Sequence, residues 1–62
     1  MIQEIINKFK HFMTINNLTQ GEAAELVQIS RTHLNKVLNE RVTPSMALLM
    51  RIEKAMEDKD NG

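Results

Sequence analysis

From Ile2 the apolar residues fall at Ile2, Ile5, Ile6, Phe9, Phe12 and Met13, with Lys8, Lys10 and His11 between them. That three-and-four spacing predicts an amphipathic helix, and Asn16-Asn17 ends it. Thr19-Gln20-Gly21-Glu22 has the form of a capping box, with Leu18 before it as a staple residue, so a second helix starts near Gln20 and carries Ala23, Ala24, Leu26 and Val27. Ser30 is the next N-cap, and only Gln28 and Ile29 separate it from Val27, which demands a tight turn and a steep crossing. In the third helix, Ser30 to Asn39, projection at about 100° per residue gathers Arg31, Thr32, Asn35, Lys36 and Asn39 within an arc of roughly 140°. Leu34, Val37 and Leu38 take the opposite side, and His33 projects to the edge of that apolar face as a half-buried packing residue. Thr43-Pro44 reads as an N-cap and first-turn pair opening a fourth helix through Met46, Leu49, Ile52 and Met56. No stretch alternates as a half-buried strand would. The pattern predicts an all-α domain of four helices over residues 1–57, with 58–62 as a polar, frayed tail.

Composition narrows the means of stabilisation. A chain of 62 residues holds one domain, and with no cysteine there is neither a disulfide framework nor a thiolate metal site, so helix packing must carry the fold. The longest apolar stretch, Met46 to Met50, is far below the roughly 20 residues of a membrane span, and the N-terminus lacks the apolar run of a signal peptide. The expectation is a cytoplasmic protein with no membrane partner.

A formal net charge of zero argues against nucleic-acid binding, since Lys and Arg on phosphates supply most non-specific affinity. The distribution reverses that argument locally. Between Ser30 and Arg41 stand Arg31, Lys36 and Arg41 against the single acid Glu40, while Glu53, Glu57, Asp58 and Asp60 gather near the C-terminus. Two short helices joined by a tight turn, the second presenting a polar face ahead of a basic loop, fit a DNA major groove, which admits one α-helix. In that setting Arg31 offers a bidentate contact to guanine, Asn35 one to adenine, and Thr32 a shorter contact or a partner for a thymine methyl. Gln20, Lys36, Asn39 and Arg41 flank this face as phosphate clamps.

The residues Leu18-Thr19-Gln20, Ala24, Val27, Ile29-Ser30, Leu34, Val37, Pro44-Ser45 and Leu49 through Met56 resemble the lambda-repressor-like, Cro/C1-type helix-turn-helix family without a gap. Leu38-Asn39-Glu40-Arg41 followed by Met46-Ala47-Leu48 resembles, less closely, the HigA-type antitoxin branch. The resemblance implies a compact domain of four to five helices that forms a homodimer on a palindromic operator in double-stranded DNA, acting as a repressor or other transcriptional regulator. It also implies phosphate contacts at Gln20 and Asn39 and base contacts at Arg31, Thr32 and Asn35. Three positions depart from the family pattern. Gln28 and Glu40 stand where glycine is usual, and Gly21 replaces a better helix former. At Gln28 a left-handed backbone is expected at a cost of about 1–2 kcal/mol, whereas Asn39 is a candidate helix terminator in place of Glu40.

Other chemistry finds little support. His11 and His33 have no ligand set around them in sequence, and Ser30 with His33 lacks a third group, so no metal, no cofactor and no enzymatic activity are expected. No small-molecule effector is expected either. The fourth helix is apolar on more sides than one core contact needs, which makes Leu48, with Ile2 or Met50, a candidate dimer seam. The same surplus supports an alternative: a helix-turn-helix-fold protein-interaction module, an antirepressor or co-repressor that docks on another regulator.

Overall fold

A computed structural model describes residues 2–61, with side-chain environments described for 2–58. Four helices follow in order: α1 (Ile2–Ile15), α2 (Gln20–Leu26), α3 (Arg31–Leu38) and α4 (Met46–Asn61). α1 packs on α4 and α2 on α3, and the two pairs close over one core. Phe9 from α1, Val27 at the C-cap of α2, Leu34 and Val37 from α3 and Ile52 from α4 are its largest fully enclosed side chains. The Phe9 and Phe12 rings stack with centroids 5.9 Å apart and planes 15° from parallel.

The helix starts follow the predicted chemistry with one shift. Thr19 Oγ1 accepts from the Glu22 N–H at 3.1 Å and the Glu22 carboxylate accepts from the Thr19 N–H at 2.9 Å, a complete capping box. Ser30 Oγ accepts from the His33 N–H at 3.0 Å. For α4 the cap is Ser45 rather than Thr43: its Oγ accepts from the Leu48 N–H at 3.1 Å, and the helix begins at Met46. Pro44 disfavours helical geometry at Thr43 and is itself buried one position before the cap, where a staple residue sits.

The helix ends share one device. Asn17, Gln28 and Glu40 have φ of 58°, 61° and 61°, each one residue beyond a helix cap. After each, the next N–H reaches back to the last turn: Leu18 to the Met13 carbonyl, Ile29 to Ala24 and Arg41 to Lys36, at 2.9–3.0 Å. These are Schellman terminations built without a glycine. Gln28 therefore adopts the left-handed backbone its position demands. Asn39, the expected terminator of α3, keeps φ −94° as the C-cap, and Glu40 takes the left-handed place instead. Only the residue after the cap can return the chain to the preceding turn, so the reversal falls on whatever stands there.

Candidate nucleic-acid interface

α3 is divided sharply by environment. Leu34, Val37 and Leu38 are buried, whereas Arg31, Thr32, Asn35, Lys36 and Asn39 are exposed, as is Arg41 in the following loop. Its N-terminus is fixed by the Ser30 cap and by the left-handed Gln28, which reverse the chain within three residues of Val27. A further anchor comes from α4. Arg51, half-buried, donates through Nη1 to the carbonyls of Val27 and Gln28 at 3.2 Å each, tying the α2–α3 turn to the opposite side of the domain. A guanidinium suits this place, because the last carbonyls of α2 lack helical partners and carry partial negative charge. Arg51 has no functional signature in the sequence beyond lying in the stretch Leu49 to Met56 that resembles the family.

The first turn of α2 reaches two of the expected reading residues. Asn35 Nδ2 donates to Gln20 Oε1 at 3.1 Å, and a Cβ built on Gly21 would lie 3.9 Å from Arg31 Cδ. Gln20 and Asn35 are thus brought together, and Arg31 runs past the same turn. Asn39 Nδ2 donates to the Asn35 carbonyl at 2.8 Å, so its side chain caps its own helix while one amide hydrogen stays free. Lys36 and Thr32 border a shallow depression with Ser30, His33 and Val42.

Two expectations are corrected. His33 is exposed, not half-buried: at the third position of α3 it lies at a shallow surface depression beside the exposed Val42 rather than in the core. Leu48 does not offer a dimer seam: it is 2% exposed, enclosed in the protein's own core with Leu49 and Ile52. Ile2 and Met50 remain exposed, at 42% and 62%. Leu26 is exposed at 45%, since α2 turns Ala23 and Ala24 inward.

Among the described residues no three His, Asp or Glu side chains approach closely enough to hold a metal ion, and no helix is long and apolar enough to cross a membrane. A search of curated proteins and a search of solved structures each returned no match. A family described as Helix-turn-helix matches residues 13–57, from the end of α1 through most of α4. That span contains the capping box, the α2–α3 turn, the polar face of α3 and the Arg51 anchor, and the chain belongs to this lambda-repressor-like helix-turn-helix family of DNA-binding regulatory domains.

Proposed function

We propose that the protein is a sequence-specific transcriptional regulator, a repressor, that places α3 in the major groove of a palindromic operator and binds as a homodimer. The observation that carries this reading is the division of α3: every polar residue on the predicted face is exposed, while Leu34, Val37 and Leu38 opposite it are buried in the core. Arg31 and Asn35 read base edges, Thr32 makes the shorter contact, and Gln20, Lys36, Asn39 and Arg41 hold phosphates on either side. One copy presents few cations to the duplex, so two copies on two half-sites supply the affinity that one lacks. Repression then follows from occupancy of the operator, in the cytoplasm where the DNA lies.

Enrichment of bound sequences from a random duplex pool tests this, repeated with Arg31→Ala and Asn35→Ala. The expected result is a palindromic motif in which each variant relaxes its own position by about 1–3 kcal/mol. Absence of any enriched motif at low salt with folded protein would refute the reading and favour docking on another protein, for which exposed Met46 and Met50 provide apolar surface.

A further inference from the structure

We propose that the groove between α1 and the second half of α4 is a docking site for an acidic, amphipathic helix of a partner protein. Asn7, Lys8, His11, Phe12, Ile15 and Met56 line it. On α1, His11, Phe12 and Ile15 stand three, four and seven residues after Lys8, on adjoining rows of one side of the helix. Phe12 is buried at the floor and Met56 is half-buried beside it, while Ile15 is 64% exposed at the last position of α1. An isoleucine left so open beside two further apolar side chains is surface that a partner's side chain can cover.

The rim specifies the partner's chemistry. Gln3 Nε2 donates to Asn7 Oδ1 at 3.0 Å, which occupies the Asn7 acceptor and leaves the hydrogens of Asn7 Nδ2. Lys8 offers three donors and no acceptor, and His11 offers at least one N–H. Both are exposed, and none of the lining residues is an acid; the single acid of α1, Glu4, stands one turn before Lys8, outside the lining. Every polar group of the rim thus donates, and the Lys8 cation favours carboxylates as the acceptors. A phosphate backbone satisfies this rim but not Phe12, Ile15 and Met56 below it, and none of the six residues belongs to the reading face of α2 and α3. A small amphiphile satisfies both, yet the groove is open to solvent, whereas ligand pockets enclose most of a bound molecule. A helix needs only one of its faces covered. From Asn7 to Ile15 the groove runs about 12 Å by helical rise, room for two turns of a docked helix with apolar side chains on the floor and carboxylates beside Lys8 and His11. A helix seated there leaves α3 free, so the partner joins the protein on DNA instead of competing with it.

The test titrates the whole chain, isotopically labelled, with a short synthetic helix that carries two leucines four residues apart flanked by glutamates, and follows the amide signals by NMR. Saturable shifts are expected in residues 7–15 of α1 and in the turn of α4 around Met56, with the signals of α3 unmoved. The same peptide with lysines in place of the glutamates is expected to bind roughly 10-fold more weakly. Lys8→Glu should weaken the acidic peptide by roughly 2- to 10-fold and Ile15→Asp by roughly 10-fold or more. Both positions are exposed, and circular dichroism verifies that the variants fold; Lys8→Glu carries the test if Ile15→Asp does not. Equal binding by a scrambled peptide of the same composition, shifts on α3 in place of α1, or no saturation at millimolar peptide would each overturn the proposal. Shifts that grow with protein concentration before any peptide is added would also overturn it, by giving the groove to a second copy, whose α4 carries Glu53, Glu57 and Asp58. None of these results bears on the operator reading, which rests on other residues.

Discussion

Replacing Gln28 with glycine isolates the strain in the α2–α3 turn. Gln28 has φ 61°, a region that costs an ordinary L-residue about 1–2 kcal/mol and glycine almost nothing. Against this, glycine loses more backbone freedom on folding, a cost of about 0.5–1 kcal/mol. The contacts of the turn are made by backbone: the Gln28 N–H donates to the Glu25 carbonyl at 3.2 Å and the Gln28 carbonyl accepts from Arg51, while the side chain is exposed. The substitution leaves these in place, so the expected net gain is about 0.5–1 kcal/mol. For a domain of this size that raises the melting temperature by about 2–8 °C in thermal unfolding followed by circular dichroism. Gln28→Ala is the control, since it removes the side chain but retains the Cβ that causes the strain, and it is expected to give no gain. Equal stabilisation by alanine and glycine, or a loss with glycine, would refute the argument that strain at this backbone position is relieved.

Glu40→Gly should stabilise by a similar amount for the same reason at φ 61°, and should also tighten duplex binding at low salt, because a negative charge beside Lys36 and Arg41 is lost; fluorescence anisotropy at two salt concentrations reads the second effect. Gly21→Ala should add about 0.5–1 kcal/mol in urea denaturation, since the new Cβ would meet Thr19 Oγ1 at 3.8 Å and Arg31 Cδ at 3.9 Å, both ordinary contacts; a loss would mean that Arg31 needs the space. Arg51→Met should cost about 1–2 kcal/mol in the same assay by freeing the Val27 and Gln28 carbonyls, with Arg51→Lys recovering part of it; an unchanged midpoint would remove Arg51 as an anchor of the turn.

Much of this fold is legible in the chain because its signals are local. Thr19-x-x-Glu22 and Ser30 declare their helix starts through bonds made within three residues, and the spacing of Leu34, Val37 and Leu38 fixes which side of α3 is buried. Reading failed where a local signal had a competitor. Thr43-Pro44 has the composition of a helix start, yet Ser45 supplies an equally good hydroxyl two residues later and Pro44 is better used in the core. At α4, spacing puts Met46 on the stripe with Leu49 and Ile52 and leaves Leu48 for a dimer seam, and the structure reverses the two. The answer depends on where α1 lies against the helix, and Met46 is left 72% exposed while Leu48 is enclosed. The Gln20–Asn35 and Arg51–Gln28 contacts join residues fifteen and twenty-three apart, and no pattern within one element announces such pairs.

The charge pattern sets how affinity and discrimination are divided. Arg31, Lys36 and Arg41 are the cations of the face, so full phosphate engagement by one copy corresponds to a salt slope of only about −3, and by two copies of about −5. Electrostatics of that size holds a regulator weakly on arbitrary DNA, and a chain with no net charge gains nothing further from its bulk. On the proposed reading, discrimination then comes from hydrogen bonds whose donors and acceptors are held in place before DNA arrives. The first turn of α2 is the part of the molecule suited to fixing them, because Thr19 and Glu22 hold its backbone and Gln20 is bonded to Asn35. Arg51 holds the other end of that helix against α4. On this account α2 is as much a part of the reading surface as α3, and substitutions in its first turn should alter which bases are chosen more than how tightly DNA is held.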